Sequence, residues 1–501
     1  MQEQSPPEHR GFKRRAALGG AAAAAVAAGI GAGSAVARAQ AQPPSACGED
    51  PDVLPPTDAY DPDLGPNTLV FDESTPAAEI QSAVDAITDQ MRTNQFGRER
   101  HAVLLRPGTY AVDIDLRFYT QVAGLGLLPG DTVVDGHVRV EADWLPQGSD
   151  RPDYLGNATQ NFWRSVENLA IRNPAGQIAR WAVSQAAPFR RIDLQTAEMQ
   201  LWDGYEGWAS GGFFADSRFS GRVVSGSQQQ FFTRNSNLQG GWAGSVWNMV
   251  FVGTGGAPAH HFPDPSHTVV DRAPVIREKP FLYTASDGEF RVFKPAVRRD
   301  AAGTSWEGGA PAGTSISLAE FYVVNPGEDV ATVNRALAEG RHLLFTPGVH
   351  EFDQTLNVTA PGTVVLGLGL ATIIPTGGQT AIAVADVDGA VIAGLLIGRG
   401  GRVRRPRPDR PPGSPTTART RLSGGRRGRL LSLERDADHA ATTASWRNRC
   451  ERLVASYKVD DSWPSALGAG WPTASSTSIR ASCATGSSRP RATAASGSRP
   501  W

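Results

Sequence analysis

HAVLLRPGTYAVDIDLRFYTQVAGLGLLPGDTVVDG, residues 101–136, decides the fold, because the chain states it twice. The echo is RHLLFTPGVHEFDQTLNVTAPGTVVLGLGLATIIPTGG, residues 341–378. Pro107-Gly108 answers to Pro347-Gly348, and Gly124-Leu125-Gly126 answers to Gly367-Leu368-Gly369. Each copy follows an amphipathic helical pattern, TPAAEIQSAVDAITDQM before the first and EDVATVNRALAEG before the second. Within the unit an apolar run ends at Pro-Gly, which turns the chain. Two further short β-branched runs follow, punctuated by Gly and Asp. Short strands at short spacing behind one helix suggest a coiled sheet whose first turn is covered by a cap. Two capped starts imply two solenoids in tandem.

Working outward, runs of the same kind continue after residue 144: NFWRSVENLAIRN, AAPFRRIDLQ, GGFFADSRFSG, QQQFFTRNSNLQG and SVWNMVFVGTG. They recur at about 15–25 residues, a solenoid spacing. Asn168, Asn173, Asn235, Asn237 and Asn248 are expected at turns or in amide ladders along the stack. REKPFLYTASDGEFRVFKPA, residues 277–296, differs: two aromatic-rich runs flank Asp287-Gly288, a hairpin signal. The Gly/Ala/Ser stretch 301–317 reads as a linker. The expected organisation is a first β-helix over 67–276, a hairpin and linker over 277–317, and the start of a second β-helix over 318–398.

The overall charge is near zero and hides an asymmetry. Residues 401–501 hold eighteen Arg, one Lys and seven acids, while the preceding four hundred hold 30 basic and 43 acidic residues. After Gly398 the apolar period stops and the text becomes Arg, Pro, Gly, Ser and Thr, a composition that packs no core. A shifted reading frame accounts for this. One GC-rich codon choice for residues 397–410, read one nucleotide on, encodes D-A-G-A-E-F-A-A-L-V-Q-I-G, a solenoid-like strand. A genuine basic tail is the alternative, and sequencing the gene separates the two.

Residues 1–39 read as an export signal of the twin-arginine type. Arg14-Arg15 precede an Ala/Gly-rich run, and Ala37-Arg38-Ala39 fits a cleavage site. That run is too weakly apolar for a comfortable membrane span. Residues 40–66 are Pro- and Asp-rich and are expected to be a loose linker; little packed structure is expected in 1–66 or 398–501. The three cysteines, Cys47, Cys450 and Cys483, all lie outside 67–400. No disulfide framework or Cys-based zinc site can be built in the body.

The motifs LLRPGTY, LLFTPGVH, the two GLG segments, ENLAIRN, FFADSRFSG, SGSQQQFFTRNS and REKPFLY resemble glycoside hydrolase family 55 and the wider pectate-lyase-like superfamily over about residues 67–398. The resemblance implies an all-β fold of tandem right-handed parallel β-helices, each opened by a short capping helix. It implies inverting, exo-acting hydrolysis of β-1,3-glucan in a groove between the two helices, by an exported protein that needs no cofactor. The partner expected is a polysaccharide, with no nucleic acid and no membrane after signal cleavage, and the chain is expected to be a monomer. The family's general acid, a glutamate of the second helix, has no match up to residue 398 and is expected beyond it.

Inverting hydrolysis needs a carboxylic acid and a water-positioning group roughly 6.5–9.5 Å apart. By resemblance a glutamine of SGSQQQFF orients the water: Gln229 first, then Gln228 and Gln230, with an amide ladder as the competing reading. Asp216 sits one coil earlier. Trp202, Asp203, Tyr205, Glu206 and Trp208 form an aromatic, acidic loop of the kind that stacks on a sugar face and accepts its hydroxyl hydrogens; simple cover for the helix flank is the alternative. His260, His261, Asp264 and His267 invite a metal, but Pro263 and Pro265 impose an extended loop without a helical His-x-x-x-His face, so no metal is expected. Two other functions remain open. A polysaccharide lyase would use a base such as Arg190, Arg191 or Arg222 with a Ca²⁺ site, and a non-catalytic glycan-binding protein would keep the aromatics without a carboxylate pair.

Overall fold

The computed structural model describes residues 53–143, 156–203, 207–399 and 457–458. The export signal expected over 1–39, the loop residues Tyr205 and Glu206, and the tail beyond Arg399 other than Tyr457–Lys458 lie outside the described residues.

The alternation read from the sequence folds as coils. Thr68–Phe71, His101–Leu105, Thr120–Gly124, Arg164–Arg172, Pro188–Gln195, Phe213–Ala215, Gln230–Arg234, Asn248–Val252 and His267–Val270 form one parallel ladder in which each strand pairs with its counterpart in the next coil. A parallel neighbour requires a crossover, and successive crossovers of one hand wind the chain into a right-handed solenoid. Because register is preserved, inward residues pile up. Val103, Val122, Val166, Phe189, Phe214, Thr233 and Phe251 form one such buried row. The Phe189 and Phe214 rings meet at 5.2 Å. Each such phenylalanine contributes about 1.5–3 kcal/mol through burial.

The 15-residue helix Ala77–Met91 covers the open start of this stack. Ile80, Val84, Ile87 and Met91 recur at helical spacing and are its buried face. The 9-residue helix Val330–Ala338 does the same for the second solenoid through Val330, Val333, Ala336 and Leu337, with the Asp329 side chain accepting from Ala331 N at 3.3 Å as its N-cap. Behind it, Phe321–Val324, His342–Phe345, Val364–Gly367 and Val391–Ala393 stack in parallel, as do Val349–Phe352, Thr372–Pro375 and Leu396–Ile397.

The duplicated Gly-Leu-Gly has a steric cause. A Cβ at Gly124 would lie 2.2 Å from the Asn168 carbonyl oxygen, and one at Gly367 would lie 2.4 Å from that of Gly394. In both solenoids the next coil's backbone occupies the space that a side chain would need.

Three expectations are corrected. The stretch expected to be loose over 40–66 is packed from Leu54 onward: Leu54, Ala59 and Leu64 are buried, Leu54 N donates to Glu339 Oε1 at 3.3 Å, and Thr57 Oγ1 donates to Phe321 O at 2.7 Å. Its few apolar residues are spaced to reach the second solenoid, which composition alone does not reveal. The expected linker 301–317 is ordered too. Gly313–Ser317 adds a third antiparallel strand to the hairpin Phe281–Thr284/Phe290–Pro295, whose turn holds Gly288 at φ +90 as Asp287-Gly288 implied. Finally, Tyr457–Lys458, in the tail expected to pack little, pairs in parallel with Leu396–Ile397.

Candidate functional site

The two solenoids lie side by side over an apolar seam. Ala102, Leu104 and Leu125 of the first meet Leu344, Leu366 and Ala393 of the second, and Leu282, Phe290 and Val292 of the hairpin complete the cluster. Beside this seam a small cleft of about 40 Å³ opens. One wall is the outer face of the first ladder, with Gln121, Ser165, Glu167, Pro188 and Arg190; the other is Leu370 and residues 393–396 of the second solenoid. Lys279, from the segment before the hairpin, enters between them.

The outer face carries charge in a register-fixed row. Glu167 pairs with Arg190, Arg190 with Ala215, and Ala215 with Arg234 on successive strands. The bridge answers this row. Lys279 Nζ donates to Glu167 Oε2 at 2.6 Å, and Arg234 binds Glu278 through two bonds of 2.6 and 2.8 Å. Burial alone would raise the Glu167 carboxyl, but the Lys279 and Arg190 charges outweigh it and hold the group below its ordinary range. For Glu278, Arg234 likewise outweighs burial.

One residue further on in each coil lies a corner. Asn168, Arg191, Asp216, Asn235 and Gly253 follow the row in register and have φ of 56, 51, 52, 46 and 57. This left-handed corner suits Gly and Asn, and elsewhere must be held by side-chain bonds. Arg191 supplies them: Nε donates to Asn168 Oδ1 at 3.1 Å and Nη1 to Asp216 Oδ2 at 3.2 Å. Asp216 also accepts from Ser305 Oγ at 2.7 Å, and its backbone carbonyl accepts from Trp306 Nε1 at 2.7 Å. Burial, aided by the charge of Glu278 and opposed by that of Arg191, pushes the Asp216 carboxyl up to about 6.

This geometry sorts the residues expected to act. Asp216 is sealed from solvent and fastens the 304–306 segment to the corner; it has no exposure to substrate. Gln228 is sealed as well. Its Nε2 donates to Val183 O at 3.1 Å and Leu201 O at 3.3 Å, so it is the coil-bridging clamp that competed with catalysis in the sequence. Asn161 makes a similar clamp three coils earlier, to Glu141 O at 2.9 Å and Ala182 O at 2.7 Å. Gln229 is half-buried and Gln230 exposed. Asp203 is buried and Trp202 half-buried over Gly226, whereas Trp208 is 54% exposed. Among the described residues no cluster of three or more His, Cys, Asp or Glu could hold a metal. His260 and His261 are occupied by loop closure: His260 Nδ1 accepts from Val269 N at 3.2 Å, and His261 Nδ1 lies 3.0 Å from Pro265 O.

Sequence reasoning missed a polar row that starts beside Ala186 of the cleft wall. Ser184 bridges to Ser210 and Ala209 to Gln228 in successive coils, and Gln229 O accepts from Trp247 N at 2.8 Å. The row therefore runs Ser184, Ser210, Gln229 and Trp247, which is 59% exposed, with the exposed Gln185 next to Ser184. Ser184 Oγ holds Gln185 Oε1 at 2.7 Å, and Ala186 beside it lines the cleft. The available signal was the recurrence of short polar residues one coil apart, in VSQAA, WASGG and SGSQQQ. Arg190 was read only as a possible lyase base.

A twin parallel solenoid with a cleft along its seam defines the class: the chain is a glycoside hydrolase family 55-like protein with a pectate-lyase-like β-helix. The model of the LAM55 pectate lyase-like domain matches residues 321–421. Over 339 residues, 68% of this chain and 54% of the relative, the sequence is 52% identical to an exo-beta-1,3-glucanase of Streptomyces sp. (strain SirexAA-E / ActE). The chain thus spans about half the length of the curated relative it matches. The solved structure of sacteLam55A from Streptomyces sp. SirexAA-E is 52% identical with a TM-score of 0.63, covering 69% of this chain and 59% of that one. A glutamate-to-alanine variant of sacteLam55A in complex with glucose is 50% identical with a TM-score of 0.64, covering 69% and 60%.

Proposed function

We propose that the protein is an exported glycoside hydrolase that cleaves β-1,3-glucan from chain ends with inversion. The observation that carries this reading is the 52% identity to an exo-beta-1,3-glucanase across both solenoids. The cleft supports it. The polar turn residues that start beside Ala186 of its wall, Gln185, Ser210 and Gln229, are the kind that orient a water, and Trp208 and Trp247, close to them along the coils, offer exposed rings as sugar platforms. Gln229 is the residue we assign to the water. The general acid is a glutamate expected beyond residue 398, encoded once the reading frame is restored.

Reducing-sugar release from laminarin tests this, with the chain as given and with the frame restored after codon 398. The restored protein should release glucose, and Gln229→Leu should lower kcat by about a hundredfold with little change in KM, the loss expected for a group acting in the transition state. Laminarin binding without turnover by the restored protein would favour a glycan-binding module instead. Export through residues 1–39 is tested by fusing them to a reporter and replacing Arg14 and Arg15 with Lys; secretion that survives the change would refute the twin-arginine reading.

A further inference from the structure

Residues 54–64 cross from one solenoid to the other. Leu54 is buried in the core of the second, whereas Ala59 and Leu64 belong to the seam cluster itself, with Leu104 of the first solenoid, Phe290 of the hairpin and Leu344 of the second. The bonds of this arm go to one side. Arg341 Nη1 donates to Pro55 O at 2.6 Å and Arg341 Nη2 to Leu54 O, opposite the bond from Leu54 N to Glu339. Thr57 Oγ1 donates to Phe321 O, Phe290 N to Ala59 O at 2.7 Å, and Asn325 Nδ2 to Asp63 Oδ2 at 3.3 Å. All of these partners lie within residues 290–341, in the hairpin and the start of the second solenoid. At Gly65 the chain turns with φ +80, so close to the second solenoid that a Cβ would lie 2.7 Å from Asn325 Oδ1. Just beyond, Thr68–Phe71 is the first rung of the first solenoid. The arm is thus fastened at one end to the second solenoid and continuous at the other with the first.

The joint it spans can part without unwinding either coil. Among the described strands no ladder pairs one solenoid with the other. Direct bonds across the seam include Gly369 N to Gln121 Oε1 at 2.6 Å and Arg100 Nε to Thr372 Oγ1 at 3.0 Å. The remainder is apolar packing, which is non-directional. As closed, the cleft of about 40 Å³ has room for a water or two, since a water occupies about 30 Å³ in the liquid. Sites that enclose small organic ligands run to about 300–1,000 Å³.

We infer that residues 54–64 are a strap whose docking holds the two solenoids closed over the cleft, and whose release lets the seam part to the width of a sugar unit. That a sugar then enters rests on the hydrolase reading; closure by the strap does not. The opening is a hinge motion of two rigid coils about the hairpin, with the strap on the side that opens.

Thiol access tests this in the full chain with Cys47, Cys450 and Cys483 replaced by serine. Ser165→Cys places a thiol on the cleft wall, at a position 1% exposed, and Thr233→Cys places one inside the first solenoid, at a position 0% exposed. Arg341→Gln releases the strap, and Leu64→Asp does so by an independent route. Chymotrypsin cutting after Tyr60, which is 59% exposed, reports the release. Both variants should be cut about tenfold faster or more than the parent, because cleavage follows the population of the undocked arm. Fluorescein-maleimide labelling at Ser165→Cys should rise about tenfold or more with release, while labelling at Thr233→Cys stays as slow as before. Should one variant fail to fold, the other decides. The inference is overturned if release leaves the cleft thiol as slow as in the parent, or if both thiols quicken alike, which is general loosening. It is overturned too if chymotrypsin cuts parent and variants at one rate, for the arm is then not fastened by these contacts. Labelling needs no substrate, so closure by the strap stands or falls apart from hydrolysis.

Discussion

Gly124→Ala should be among the most damaging single-methyl changes this protein can suffer. The added Cβ would lie 2.2 Å from the Asn168 carbonyl oxygen, 2.9 Å from Thr132 Cβ and 3.1 Å from Leu169 Cβ. The nearest of these is backbone in the adjacent coil, so no rotamer change relieves it. Contact between a methyl and a carbonyl oxygen needs more than 3 Å, roughly 1 Å beyond what is available. Two strands held at the usual ladder spacing of about 4.8 Å must part or slide. Overpacking of this kind costs about 1–3 kcal/mol where side chains can yield, and more where backbone must move, so about 3 kcal/mol or more is expected. Gly130→Ala is the control. Nothing lies within 4 Å of its Cβ position and its φ is not in the left-handed region, so it should be neutral or stabilise by up to about 1 kcal/mol through the unfolded chain. Urea denaturation followed by circular dichroism, comparing midpoints of the two variants with the parent, measures the difference. Gly367→Ala should repeat the effect in the second solenoid, where the clash is 2.4 Å from Gly394 O. If Gly124→Ala and Gly130→Ala denature within about 0.5 kcal/mol of each other, the coil-on-coil reading of the duplicated motif is refuted.

Other outcomes follow from the buried charges. His342 accepts from Val364 N at 3.2 Å as a neutral ring, and burial with the nearby Lys294 charge lowers it to about 4. Its contribution is therefore present above pH 6.5 and lost as pH falls towards 4, at most about 3 kcal/mol; His342→Asn should flatten that part of the stability–pH curve. Asp216 has the opposite sign. Its raised folded value of about 6 favours the protonated form, so its contribution is complete below pH 3.8 and is lost as pH rises through 6. Asp216→Asn should remove this slope and leave that of His342 visible in thermal melts between pH 4 and 7; an unchanged curve in both variants would contradict the assignment. Lys294 Nζ ties the hairpin to the second solenoid through Gly362 O at 2.7 Å and Gly389 O at 2.9 Å. Lys294→Met leaves both carbonyls short of a donor and should cost about 1–3 kcal/mol, with faster limited proteolysis in 356–390 as the readout.

What could be read from the sequence was repetition. Pro-Gly, Gly-Leu-Gly and the preceding helices recur in the same order, and steric demands that recur with the coil leave the same residues each time, as Gly124 and Gly367 show. Asp216 and Gln228 were misplaced for a definite reason. A polar residue in a short strand looks the same whether it faces solvent or bonds the coil above, and the register that decides between them is set by strands about twenty residues away. The left-handed corner was hidden too, because Arg191 occupies it through its bonds to Asn168 and Asp216 and not through any intrinsic preference. Ser184 and Ser210 become a row only when coils of unequal length are brought into register. Residues 54–66 look like a linker because three apolar side chains are enough to fasten them.

That corner row has a consequence for how the molecule can change length. Successive corner residues are 23 and 25 positions apart from Asn168 through Arg191 to Asp216, and the following coil is shorter, with Ser217 and Ser236 19 apart. The corners nonetheless superpose, so the difference is absorbed entirely on the far side of each turn. Natural insertions, or designed grafts of foreign loops, should be accepted there and refused on the corner side, where one extra residue would rotate every later strand by half a pleat. The protein is in this respect a spiral staircase with a fixed newel post: treads can be cut to any depth, provided each is pinned at the same point.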